Sequence, residues 1–404
     1  MSAAGSVPAP PLWLLVLITV SGTMGMHMFV PALPEAARGL ATTAGEMQMA
    51  ISIYIIGLAF GQLVYGPVSD AFGRRPLLMT GLALYTLGGI AAALAPGLRT
   101  LLAARLVQAL GGCAGLALGR AIVRDTTHAD TAVRQLALLN LMVMVGPGLA
   151  PVVGGAVSAI AGWRAIFVLL AVSGAITLWF TWRLLPETSR ASGTFGVGVL
   201  LRDYRELLTS RTFVGFALGG GCATTSVYAF LSAAPFIFID ELHQPVHMVG
   251  VYAGLMVLGM AVGNAVTSRL AQSVPAARLI RIGGALSLAS ALVLLAIVLS
   301  GHLAVLNTIG VMLFFTCGCG MTSPAALAKA VSVNPRLVGS ASGLYGFTQM
   351  GIGAACTALA AVGHDPALSA LTVMVAASVL AQVSFTVALR SERATAPATA
   401  GSGS

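Results

Sequence analysis

Runs of about 20 mostly apolar residues, each long enough to cross a bilayer as a helix, recur along almost the entire chain. Cutting at charges, prolines and glycines gives twelve candidate spans. They lie at residues 12–34, 47–69, 77–96, 99–122, 134–158, 163–184, 212–238, 247–269, 279–300, 304–329, 339–363 and 366–388. A soluble core of 404 residues could not bury them all, since 57% of the residues are hydrophobic and only 8% charged. The mean hydropathy of +0.94 points the same way. Lipid offers the backbone no hydrogen bonds, so apolar runs of this length fold as helices. The expected fold class is an all-α membrane protein.

The formal charge of +9 would suggest nucleic acid in a soluble protein. Here the basic residues sit between apolar runs and read as topology signals, so no nucleic-acid partner is expected. Twelve spans place both termini on one side. Of the 21 lysines and arginines, all but Arg38, Arg99, Arg164 and the intramembrane Arg105 fall on that side. The bias assigns it to the cytoplasm. No charged region precedes "PLWLLVLITV", so the first run reads as a retained span. The five cysteines lie inside apolar runs and read as packing residues; neither a disulfide nor a metal site is expected.

The longest polar connection, residues 183–212, divides the chain. The expected units are a first six-helix half at 1–184, a central cytoplasmic loop at 185–211, a second half at 212–390 and a disordered tail at 391–404. "VLLRDYRELL" inside the loop reads as a short interfacial helix. Six plus six spans is the layout of transporters built from two halves.

One short stretch, "YGPVSDAFGRRPLL", concentrates charge between the second and third spans. Gly66 and Gly73 are expected to permit close helix approach and a tight turn. Asp70 sits at a helix C-terminus, the unfavourable end of its own dipole, and gains by facing another helix's N-terminus. Span eleven starts on the same side at "VGSASGL", where Ser340 or Ser342 can cap it. Asp70 closing against that end would latch the halves together.

These residues carry a resemblance. "GPVSDAFGRR" resembles the loop signature of the major facilitator superfamily, and "RLVQALGG" (Arg105, Gln108, Gly111, Gly112) its span-four signature. "GPGLAPVVGG" (Gly146, Pro147, Pro151, Gly154, Gly155) looks like the span-five antiporter signature. "MFVPALP", "RAIVRD", "WRAIF", "SAAPFIFID" and "GSASGLYGFTQM" are similar to the Bcr/CflA group of drug/proton antiporters. The resemblance covers the chain except its tail. It implies a major facilitator fold and export of small molecules across a bacterial inner membrane against proton entry. It also implies that Asp70 faces span eleven, and that Arg74, beside Arg75, pairs with Asp125.

Ionisable groups inside a membrane are costly and mark functional sites. Arg105 lies about two turns into span four, where it needs acceptors such as Gln108, a carbonyl or a substrate. His27 in "MGMHMFVPALP" occupies a position that is usually an aspartate in the family. An imidazole titrates near neutral pH, which makes His27 the proton-coupling candidate; a neutral packing role weighs equally. No carboxylate falls at mid-membrane, so a lipophilic cation finds no counter-charge. Met28, Tyr54, Met142, Tyr228, Phe230, Phe236 and Gln349 are candidates for the pocket lining. Gly146, Pro147, Pro151, Gly154 and Gly155 would loosen span five or pack it closely.

The leading expectation is an alternating-access exporter of neutral or weakly anionic hydrophobic compounds, phenicol- or bicyclomycin-like. The alternative is export of a native sugar or amino-acid derivative, with drug efflux incidental. No nucleotide loop of the G-x-x-x-x-G-K-[ST] type occurs, so the proton gradient is expected to replace any cofactor. A membrane enzyme would need a nucleophile or paired acids at depth, and His27 has no such partner in the sequence. The expected state is a monomer in the lipid bilayer, with protons and small hydrophobic substrates as partners.

Overall fold

The computed structural model describes residues 10–126, 146, 148–188, 197–270, 273–334 and 336–395. Among them, ten helical segments are long and apolar enough to cross a membrane. The first half comprises α1 (Leu12–His27), α2 (Leu33–Gly39), α3 (Ala44–Phe72), α4 (Arg74–Ala93), α5 (Leu98–Thr126), α6 (Gly148–Ala161) and α7 (Trp163–Leu184). The linker helix α8 (Val197–Thr209) follows. The second half comprises α9 (Arg211–Thr225), α10 (Val227–Pro235), α11 (Val246–Leu270), α12 (Ala276–Leu299), α13 (Val305–Ser332), α14 (Val338–Ala360) and α15 (Pro366–Thr395). The first part of the span expected at 134–158 lies outside the described residues.

Local chemistry sets the helix ends. Thr43 and Glu46 form a capping box that starts α3: Glu46 N donates to the Thr43 hydroxyl at 3.2 Å, and Thr43 N donates to the Glu46 carboxylate at 2.9 Å. Ser210 accepts from Phe213 N at 3.3 Å and starts α9. Lys329 pairs with Glu392 at 2.5 Å, and Thr212 donates to Ser391 at 3.1 Å. These ties carry α15 through Thr395, so residues 391–395 are helical where disorder is expected from composition.

The first span of each half is broken. Span one passes from α1 through a 3₁₀ turn, Val30–Ala32, into α2, because Pro31 and Pro34 remove backbone donors from a continuous ladder. Span seven breaks at Ser226 between α9 and α10, then widens into a π-helical turn, Phe236–Glu241, after Pro235. Discontinuous helices free polar groups at depth, and they do so here at matching places in the two halves.

The buried side chains form two clusters. One is built almost entirely from α1–α7, the other from α8–α15. Two helix pairs close the seam between them. Gly45 near the start of α3 lies against the Ala361 carbonyl at the end of α14, and further along Phe60 meets Phe347 with ring centroids 5.7 Å apart. Gly250 of α11 packs on the Pro151 carbonyl of α6, where an added Cβ would collide with backbone.

Candidate translocation site

The broken spans meet at the seam. His27 ends α1 and is buried, and its ring lies 6.2 Å from that of Tyr228 at the start of α10. Its Nδ1 has no hydrogen-bond partner among the described residues. One turn along α10, Ser232 donates to Gln48 of α3 at 3.5 Å, a polar contact between the halves. Gln349 Nε2 of α14 donates to the Thr224 hydroxyl at 2.7 Å, and the Gln349 backbone carbonyl accepts from the Thr225 hydroxyl at 2.9 Å. It therefore ties α14 to the end of α9, beside the break. Phe236 reaches across and packs in the first half's cluster. Gln48 and Ser232 were not singled out in the sequence. Gln48 sits in the second turn of α3, where a polar side chain is unremarkable.

Other pocket candidates lie elsewhere. Arg105 is fully buried inside the first half and does not line the seam. Its Nη1 donates to the Gly25 carbonyl at 2.7 Å and to Gln108 Oε1 at 2.9 Å. Its guanidinium lies 4.0 Å from the Tyr54 ring centroid and 5.6 Å from those of Phe29 and Phe167. Helices α1, α3, α5 and α7 thus close a cage around it, with aromatic faces answering its charge. Gln108 and Tyr54 belong to that cage, and Tyr54 donates to the Gly22 carbonyl at 2.9 Å. Arg105 Nε and Nη2, Gln108 Nε2 and the Tyr85 hydroxyl find no acceptor among the described residues. Met28 is also first-half core, with its carbonyl against Gly154. Phe230 is second-half core, 6.4 Å from the Phe238 ring. Met142 and Pro147 lie outside the described residues. Gly146 faces Thr23 of α1, and an added Cβ on Gly155 would lie 3.2 Å from His247 Cα of α11, so the described part of this motif serves close packing.

The charged stretch after α3 forms a compact network. Arg74 is buried; it pairs with Asp70 at 2.5 Å and with Asp125 at 3.0 Å, and donates to the Ser69 hydroxyl. The Arg74 and Arg75 amides, at the start of α4, donate to Glu187 at 2.9 and 3.2 Å. Arg75 Nη2 donates to the Trp182 carbonyl at 2.8 Å. Glu187 is therefore the anionic cap of α4, a role the sequence reading missed because the two segments lie 113 residues apart. Ser340, expected with Ser342 as a cap for the helix end that Asp70 faces, donates to Asp203 of α8 at 3.1 Å. The linker helix thus supplies the carboxylate at the start of α14. Gly66 also differs from expectation, since among the described residues an added Cβ there would meet nothing within 4 Å and no close helix approach is seen.

Gly73 has φ +97°, and an added Cβ would lie 2.6 Å from Glu187 Oε2. Gly73→Ala is expected to strain the backbone and push the cap off α4, costing about 2–3 kcal/mol in all. Thermal unfolding of the purified protein checks this, and an unchanged midpoint would contradict it.

At the opposite end, Glu35 accepts from the Ser158 hydroxyl and from Trp163 N, at 3.4 Å for the latter, holding α2 to the α6–α7 turn. Arg38 and Asp240 pair across the halves at 3.4 Å. Both are well exposed, so this pair contributes little stability.

The sequence profile of the Major Facilitator Superfamily matches residues 15–358. The chain is 30% identical over 380 residues to the uncharacterized MFS-type transporter YdgK of Bacillus subtilis (strain 168), covering 92% of this chain and 94% of that one. It is 26% identical over 376 residues to a bicyclomycin resistance protein homolog of Haemophilus influenzae, covering 92% and 94%. It is also 26% identical over 338 residues to the multidrug transporter MdfA of Yersinia pestis, covering 83% and 82%. Among solved structures, it is similar to an inward-facing, unoccupied bacterial homolog of the human lysosomal transporter Spinster. The TM-score is 0.72 at 16% identity, covering 95% and 96%. A D-xylose–proton symporter gives a TM-score of 0.70 at 14% identity, covering 92% and 96%.

Proposed function

The chain belongs to the Major Facilitator Superfamily, whose fold it has and whose members here are transporters and not enzymes, and from that premise we propose that it exports small hydrophobic compounds, neutral or weakly anionic, in exchange for protons. Export runs across a bacterial inner membrane by alternating access, with both termini cytoplasmic and one chain sufficing. The kinship with bicyclomycin-resistance and multidrug transporters supports the drug-like substrate class.

The observation that carries the charge preference is the caged Arg105. Among the described residues, every carboxylate lies in a connection or near a helix end, so no anion neutralises this cation at depth. Its effect on substrate comes through its field, since the cage bars contact. Two unit charges about 10 Å apart at an effective dielectric of about 20 interact by about 1.7 kcal/mol. That disfavours a cation at the seam by a factor on the order of ten. His27 provides the seam's titratable group for coupling.

Cells expressing the protein should gain phenicol resistance on the order of tenfold more than resistance to the permanent cation ethidium. Minimum inhibitory concentrations for both compounds in one host test the reading. Equal protection against the two would contradict it.

A further inference from the structure

A groove of 510 Å³ runs between α4 and α5 on the outward face of the first half, at the end remote from the linker. Its origin lies in side-chain size. Gly88 and Ala91 follow one another on α4, with Ala95 just past its end, and Thr100, Ala103 and Ala104 face them on α5. At its floor the helices nearly touch, since an added Cβ on Gly88 would lie 2.6 Å from Gln108 N. Exposed Leu87 and Leu94 border it, so it faces lipid and not the seam.

Two arginines belong to this end of the first half. The sequence puts only Arg38, Arg99 and Arg164 on this side of the membrane, where basic residues are scarce. Arg164 stacks on Trp163 at 4.1 Å and donates from Nη2 to the carbonyl of Ala95, a groove residue, at 3.1 Å. That holds its guanidinium against the groove's wall at Ala95. Arg99 adjoins the lining residue Thr100, is exposed, and forms no ion pair among the described residues. An apolar slot with one arginine bonded to its wall and another next in sequence to a lining residue is complementary to one class of molecule.

We propose that this groove is a binding site for an anionic glycerophospholipid, with one acyl chain between α4 and α5 and the phosphate held by Arg99 and Arg164. The guanidinium forks suit phosphate oxygens, and their charge separates an anionic headgroup from a zwitterionic one. Acyl burial alone confers no selectivity, because bulk lipid is equally apolar.

Native mass spectrometry of the full-length protein, with equal amounts of phosphatidylglycerol and phosphatidylcholine of matched chains, tests the site. The wild type is expected to retain phosphatidylglycerol by about tenfold over phosphatidylcholine. Arg99→Gln, at an exposed position, should lower that ratio about fivefold. Ala103→Phe, also exposed, fills the groove while keeping both arginines and should abolish retention. Equal retention of the two lipids would overturn the proposal, as would a preference that survives either variant. Chloramphenicol binding that Ala103→Phe removes, without any lipid preference, would reassign the groove to substrate. None of these readouts depends on transport.

Discussion

Arg105→Met is expected to admit permanent cations that the wild type rejects. Methionine matches much of the arginine's length and fills the cage with a flexible apolar chain. The substitution removes the only charge held at depth among the described residues. If the field of that charge sets selectivity, the ratio of phenicol to ethidium protection should fall on the order of tenfold. Stability pulls in two directions. The Gly25 carbonyl and Gln108 Oε1 lose their donor, about 1–3 kcal/mol each. Against this, a guanidinium with two unpartnered nitrogens is no longer held away from water. Arg105→Lys separates charge from shape, since it keeps the cation but loses the planar fork and much of the stacking on Tyr54. It should keep rejecting ethidium. A Met variant that is expressed equally and still excludes ethidium would remove Arg105 from substrate selection.

The spans were legible because membrane insertion demands only length and apolarity. The span expected at 163–184 has those bounds in the structure, with Gly162 at φ +80° before it and Leu185 extended after it. The breaks in spans one and seven were harder to see, because Pro31, Pro34 and Pro235 lie inside uninterrupted apolar runs. Hydropathy does not register a lost backbone donor.

The site was legible only where its partners are local. Arg105 and Gln108 are three residues apart, so a helix must bring them together, and they are bonded at 2.9 Å. Which helices would surround them was not written in that spacing. Tyr54, Phe29 and Phe167 come from three separate segments and turn an expected pocket residue into a caged one. Glu187 and Asp203 are similar cases. Each is an ordinary acid in a polar connection, and each gains its role at a helix N-terminus distant in sequence.

His27→Gln is expected to leave substrate binding in place while abolishing its coupling to protons. His27 lies at the break of α1, with its ring 6.2 Å from that of Tyr228 across the seam between the halves. Its unpartnered Nδ1 is available to a proton or to a substrate acceptor. Glutamine keeps hydrogen-bonding capacity at that place but cannot carry charge. Exchange against proton entry needs a proton supplied from outside, so wild-type transport should weaken as the external pH rises. The Gln variant should show no such dependence. The competing route is Glu35, but that carboxylate already accepts from Ser158 and Trp163 and anchors a turn at the membrane's edge. Glu35→Gln should therefore reduce stability before it alters the pH profile. Proteoliposomes with an internal pH dye measure substrate-induced proton movement for wild type, His27→Gln and Glu35→Gln. Loss of the proton signal in His27→Gln alone, with phenicol binding retained, is the expected result. Proton signals of equal size from wild type and His27→Gln would exclude His27 from the exchange.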